Sequence, residues 1–376
     1  MLSRRLFLAA TLSTATLAGY VMPPSAIAAD YDRMIGKAID YLRTKGRGAD
    51  GSYSKQTGIG VTALVTTALL RHGRTPDDPL VADSLNFLAA NVQADGGIYA
   101  PKSQFQNYET CVALMCFTEA NPDGRYAKII AGADKYLRGL QVNEDKGVGK
   151  DDLSYGGGGY SEKRRPDLSN TAFLVDALKS AGASSDDQAL QNALIFVSRC
   201  QNLESEFNTA PLGAKVNDGG FYYSVAGGGQ GPESDDGKGL RSYGTMTYAG
   251  LKSMIYAGVG KDDKRVKAAL GWIQKNYDLS SNPGMADNGL YYYYHTFAKA
   301  LATLEQDEIV DSKGKKHDWR AELMDVLARQ QQEDGSWVNK NTRFLEGDAN
   351  LVTAYSLLAL SYCQQSAQPE GNRSQK

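Results

Sequence analysis

The chain has 376 residues, with 41 basic against 43 acidic side chains and a formal net charge of -2. That balance carries no electrostatic footprint for nucleic acid or other anionic polymers. A hydrophobic fraction of 42% with 22% charged residues is enough to bury a substantial core, in one large domain or two ordinary ones.

The first 29 residues read as a targeting segment. Ser3-Arg4-Arg5-Leu6-Phe7-Leu8 is a paired-arginine start; an apolar run reaches Met22, Pro23-Pro24 breaks it, and Ala26-Ile27-Ala28 offers a small-residue cleavage site. The pattern resembles a twin-arginine export signal, with an ordinary secretory signal or an uncleaved anchor as alternatives. Export places the mature protein in the periplasm or outside the cell. No later run is long and apolar enough to cross a bilayer.

From there the chain alternates two kinds of helix around a recurring glycine-aromatic turn. Amphipathic helices with a charged face are predicted over 34–43, 81–92, 129–140, 190–201, 266–277 and 319–331. Each precedes a turn: Asp50-Gly51-Ser52-Tyr53, Asp95-Gly96-Gly97-Ile98-Tyr99, the run from Tyr155 to Tyr160, Asp218-Gly219-Gly220-Phe221-Tyr222, Asp287-Asn288-Gly289-Leu290-Tyr291 and Asp334-Gly335-Ser336-Trp337. Helices with few charges and many small residues follow, over 61–70, 108–117, 170–178, 244–255, 294–304 and 351–362. A helix that is apolar nearly all round has to be buried on most sides. Six half-exposed and six buried helices in strict alternation are most simply satisfied by an all-α (α/α)6 toroid, a closed ring of six helical hairpins over 30–363.

The glycines supply the positive φ that reverses the chain. Gln93, Gln201 and Gln331, just upstream of their turns, are candidates to bond orphan carbonyls at the helix end. Long polar inserts at 151–165, 213–239 and 279–285 are expected as loops over a site, and Asp235 and Asp236 among them read as a solvated acidic loop. The tail over 364–376 reads as disordered. Cys111, Cys116, Cys200 and Cys363 all fall inside helical patterns and read as small buried side chains rather than as a disulfide framework.

These turns and paired helices resemble the α/α toroids of terpenoid cyclases, such as squalene-hopene cyclase, and of protein prenyltransferase β subunits. Cyclases of this type carry an Asp-x-Asp-Asp-Thr-Ala motif whose middle aspartate protonates the polyprenyl chain. The matching stretch here, Asp167-Leu168-Ser169-Asn170-Thr171-Ala172, keeps the frame and puts Ser169 where that acid belongs. A hydroxyl cannot protonate an alkene. Prenyltransferases hold zinc with an Asp, a Cys and a His. Tyr294-His295-Thr296 matches the His segment, but Arg241 and Tyr243 stand at the other two positions, so the resemblance implies neither metal nor other cofactor.

In such toroids the buried helices start at one end of the central hollow. The candidate residues at that mouth are therefore Tyr108, Glu109, Asp167, Ser169, Asn170, Arg241, Tyr243, Asp287, Tyr294, His295, Glu346 and Asp348. Two functions are open from these side chains. Tyr108, Tyr243 and members of the run 291–294 suit an apolar cavity for an isoprenoid or similar lipid-like ligand. Glu109, Asp167, Asp287, Glu346 and Asp348 would suit carbohydrate cleavage by a carboxylate pair. A non-catalytic scaffold is the third reading. Asp167, Ser169 and Asn170 also read as a helix N-cap, and His295 equally as a general base or a hydrogen-bonded core histidine.

Overall fold

The computed structural model describes residues 24–225, 233–234 and 236–364. The paired arginines, Asp235 and the tail beyond 364 lie outside the described residues.

Six outer helices, α1 (Pro24–Tyr41), α3 (Pro79–Ala89), α5 (Ala127–Leu140), α7 (Gln188–Arg199), α10 (Lys264–Lys275) and α12 (Trp319–Gln330), alternate with six inner ones. The inner set is α2 (Gly60–Arg71), α4 (Gln106–Glu119), α6 (Leu168–Ser180), α9 (Gly244–Tyr256), α11 (Leu290–Thr303) and α13 (Ala349–Cys363). A short α8 (Gly213–Val216) lies in the insert between α7 and α9. A two-stranded antiparallel ribbon, β1 (Ile309–Val310) with β2 (Lys316–His317), joins α11 to α12 and was not expected from the sequence.

The inner helices form a closed ring: α2 packs on α4, α4 on α6, α6 on α9, α9 on α11, α11 on α13, and α13 back on α2. Their composition allows it. Residues 60–69 of α2 are all buried, being Gly, Val, Thr, Ala and Leu, small or branched side chains that let helices approach on two sides. Four outer helices start with an aspartate cap: Asp78, Asp187, Asp263 and Asp318 each accept an otherwise unpaired amide of the first turn.

Three devices recur at the turns. An inner-helix threonine takes the buried N–H of the turn: Tyr53 donates to Thr62 Oγ1 at 2.9 Å, Ile98 to Thr110 at 3.0 Å, Gly158 to Thr171 at 3.0 Å, Phe221 to Thr247 at 3.1 Å and Trp337 to Thr353 at 3.1 Å. A glutamine at the end of the outer helix reaches forward. Gln141 Nε2 donates to Gly156 O and to Ala189 O of α7, Gln201 to Gly219 O and Arg265 O of α10, and Gln331 to Gly335 O and Met34 O of α1, all at 2.9 Å. These glutamines therefore tie a turn to the next hairpin rather than capping their own helix. Gln93 differs, bonding Asn91 O and Tyr99 O within its own turn.

The third device is a glycine pressed on the following outer helix. A Cβ on Gly156, at φ 83°, would lie 1.8 Å from Asn192 O, and one on Gly335, at φ 92°, would lie 2.3 Å from Lys37 O. The contact from the sixth hairpin to the first thus copies those inside the chain. The fifth turn departs from the pattern. Asp278, not Asp287, accepts the turn amide, from Ser280 N at 2.7 Å, while Asp287-Asn288-Gly289 leads straight into α11. The hydroxyls of Tyr293 and Tyr294 tie down carbonyls of this turn rather than its N–H, donating to Asp278 O and Leu279 O, each at 2.7 Å.

No disulfide joins the four cysteines, all of them buried, and burial pushes the Cys116 thiol up to about 12. Among the described residues no helix is long and apolar enough to cross a membrane.

Candidate functional site

Because every inner helix follows a turn at the same end of the ring, their N-termini converge there, and each carries unpaired N–H groups and a positive partial charge. The mouth is accordingly lined with acceptors. Glu109 Oε1 takes Ile59 N at the start of α2 at 3.1 Å, and its Oε2 takes Ala100 N at 3.1 Å. Asp167 caps α6 through Asn170 N at 2.8 Å. Asn282 Oδ1 accepts Thr245 N of α9 at 3.2 Å. Glu346 Oε1 receives Tyr291 N and Tyr292 N of α11 at 3.0 and 2.8 Å, and Asp348 caps α13 through Leu351 N at 3.0 Å. Four of the five carboxylates that the sequence offers for acid and base work, Glu109, Asp167, Glu346 and Asp348, are spent on backbone amides at helix ends. Burial pushes Asp167 and Glu346 up to about 7 each, and raises Glu109 as well.

Inside these caps lies a cavity of about 380 Å³. Its wall includes Phe105, Tyr108, Tyr160, Phe173, Tyr223, Tyr243, Tyr292, Phe344 and Tyr355, together with Met246, Met285, Leu345 and Leu351. Four of the rings run in an unbroken series. Tyr108 meets Phe173 edge to face at 5.1 Å, Phe173 stacks on Tyr292 at 5.8 Å and 8°, and Tyr292 meets Tyr355 at 5.6 Å. Desolvation raises the Tyr292 and Tyr355 hydroxyls far above their ordinary value, so these rings stay neutral. Besides the tyrosine hydroxyls, the polar wall groups are Ser169 Oγ, 2.9 Å from the Tyr292 hydroxyl; Asn170, whose Oδ1 is buried without a partner; Thr57, Thr245, Asn282, Asn288 and Glu109. At the rim Phe105 is 46% exposed and Leu345 55%, an apolar lip. Phe344 and Leu345 there adopt positive φ, 59° and 64°, a strained conformation for side chains of that size.

Of the twelve residues read from the sequence, Tyr108, Glu109, Ser169, Asn170 and Tyr243 line this cavity. Asp167, Glu346 and Asp348 sit behind the wall as caps. Asp287 is exposed and accepts Asn341 Nδ2 at 2.9 Å. Arg241 is exposed, its guanidinium near Glu233 O. Tyr294 points outward to Leu279 O. α11 is helical from Leu290, so the run 291–294 does not alternate as an extended segment would, and Tyr292 alone of the four lines the cavity. His295, one turn deeper, lies beneath the Phe173–Tyr292 floor in a separate small hollow with Asp176, Lys252 and Lys299. Arg241, Tyr243 and His295 therefore occupy three different places, outside, in the wall and below the floor. Phe173 and Tyr355 were missed by the sequence reading; each lies four residues past a wall residue on its helix, Ser169 and Leu351, which is the signal that would have found them.

Residues 28–223 match the squalene-hopene cyclase C-terminal domain, and the chain belongs to that family. Among solved structures it is similar to a glycosidase, with a TM-score of 0.51 at 12% identity over 92% of this chain and 99% of that one. It is also similar to the apo type II terpene cyclase MstE from Scytonema, with a TM-score of 0.49 at 13% identity over 90% and 98%. No curated protein matches the chain. At these identities the likeness is one of fold, and the toroid architecture is shared.

Proposed function

We propose that this toroid takes an isoprenoid or a similar apolar ligand into its aromatic cavity. The supporting observation is the wall itself: nine aromatic rings with Met and Leu side chains and, among the described residues, Glu109 as the one carboxylate, already bonded to two backbone amides. Such a surface favours a chain of apolar carbons or a delocalised cation over a hydrated sugar. The few polar atoms around Ser169 and Asn170 suit a ligand with one small polar end. Catalysis by the family's acid is not available, since Ser169 stands in its place and hydrogen-bonds to Tyr292. The carbohydrate reading draws on the glycosidase-like fold, but needs two facing carboxylates where the described residues of this wall supply one.

Protein purified from its host would, on this reading, release a polyprenyl lipid into organic solvent for mass spectrometry, and the stripped protein would bind farnesol with quenching of tyrosine emission. A clean extract together with no farnesol binding would defeat it. We further propose export through Arg4 and Arg5; exchanging both for Lys should leave the protein in the cytoplasm, and unchanged export would argue for a different signal.

A further inference from the structure

Beneath the Phe173–Tyr292 floor the ring encloses charge that does not balance. Asp176 on α6 receives Lys252 Nζ of α9 on both oxygens, at 2.6 and 2.5 Å, and Lys299 Nζ of α11 at 2.8 Å. All three side chains are buried, with exposures of 5%, 3% and 10%. Two ammonium groups against one carboxylate leave a surplus positive charge where solvent does not reach, a costly arrangement unless something answers it. The surplus also appears in hydrogen-bond capacity. Each ammonium has three donors. Lys252 directs two at Asp176, and Lys299 one at Asp176 with a long contact to Met115 Sδ at 4.0 Å, so each keeps a donor in hand. His295 borders the same space with its Nδ1 buried and unpartnered. Between these groups lies a hollow of about 10 Å³, room for a single small guest.

We propose that this hollow is a binding site for one monovalent, monatomic anion, chloride being the natural occupant, held by Lys252 Nζ, Lys299 Nζ and an N–H of His295. Water is the poorer guest. It brings two donors of its own into a space already rich in donors, and leaves the charge uncorrected. An anion accepts from Lys252, Lys299 and His295 across the hollow from Asp176 and brings the cluster to neutrality. Burial and the two lysines push His295 well below its ordinary value, so the imidazole is neutral and offers one N–H. The occupied site would make the layer under the aromatic cavity electrically neutral, so that no fixed positive charge opposes a cation held above it.

The test uses the full chain. Thermal unfolding is followed in sodium chloride and in sodium gluconate at equal ionic strength, alongside diffraction from crystals soaked in sodium bromide. The expected result is a melting temperature higher in chloride, on the order of a few degrees, and a bromine anomalous peak between Lys252, Lys299 and His295. Lys252→Met leaves a neutral Asp176–Lys299 pair, so its melting temperature should be the same in both salts and its bromide peak absent. Equal melting in both salts for the wild-type chain, or a hollow with no anomalous signal and a water in it, would overturn the proposal, and the diffraction result stands even if the variant does not fold.

Discussion

Replacing Gly156 by alanine, beside the matched change Gly73→Ala, isolates the contact by which one hairpin leans on the next. Both glycines have φ 83°, so both alanines meet the same backbone penalty, about 1–2 kcal/mol. Their surroundings differ completely. A Cβ at 73 has nothing within 4 Å, whereas one at 156 would sit 1.8 Å from Asn192 O and 2.5 Å from its carbonyl carbon, both main-chain atoms of α7. The turn has to withdraw from α7. In doing so it strains two bonds, Gly156 N to Val142 O at 2.7 Å and Gln141 Nε2 to Gly156 O at 2.9 Å, each contributing about 1 kcal/mol net and costing more if left unmade in the interior. The expected loss is about 4–6 kcal/mol for Gly156→Ala and about 1–2 kcal/mol for Gly73→Ala, on a total that is typically about 5–15 kcal/mol. Urea unfolding followed by far-UV circular dichroism measures both. Losses agreeing to within about 1 kcal/mol would mean that the close approach of turn to helix does not bear on stability.

Thr171→Val keeps the shape of the inner helix and removes the acceptor for Gly158 N, so a loss of about 1–3 kcal/mol is expected in the same assay; no loss would refute the role given to the threonines. Burial lifts the Asp167 carboxyl to about 7. Below about 4 the folded and unfolded chains both hold that proton, and between about 4 and 7 only the folded chain does, so this group's contribution to stability is lost as pH rises through that window and stays lost above it. Asp167→Asn should therefore flatten the pH dependence of stability there by up to about 4 kcal/mol, and identical pH profiles for the two proteins would count against it. The four buried thiols should ignore Ellman's reagent in the native protein and all react in guanidinium; prompt labelling of any one without denaturant would contradict their burial. Phe173→Ala, which opens the cavity floor, should weaken farnesol binding about tenfold or more while the far-UV spectrum is kept, and unaltered affinity would place the ligand elsewhere.

The ring was legible in the sequence because its two determinants are local. A glycine-aromatic turn reverses the chain wherever it stands, and an uncharged helix has to be buried. The fifth turn was misplaced for the same reason: Asp287-Asn288-Gly289 has the right letters, but the turn amide is taken up by Asp278, while Tyr293 and Tyr294, further on, donate to carbonyls of that turn where a threonine elsewhere accepts an N–H. The site was harder. That Tyr108 or Ser169 stands at a helix start is a matter of counting, but whether a side chain faces the axis depends on helix phase, which sends Tyr292 inward and Tyr294 outward. Glu109 is harder still. Its amide partner at Ile59 lies fifty residues earlier, on a neighbouring hairpin, so its use as a cap is a property of the closed ring and of no local pattern.

The seam where Gln331 holds Met34 O, Gly335 rests against Lys37, and the Tyr31 hydroxyl donates to Leu360 O at 3.3 Å is built like the joints within the chain. Topologically, then, the molecule has no first hairpin. A gene reopened at the exposed bend around Asp123, with residues 30 and 364 bridged by a short linker, would encode a circular permutant with the same wheel of helices. It also follows that no spoke can fray alone: loosening one means breaking contacts on both of its sides, so the wheel should come apart as a unit rather than unzip from an end.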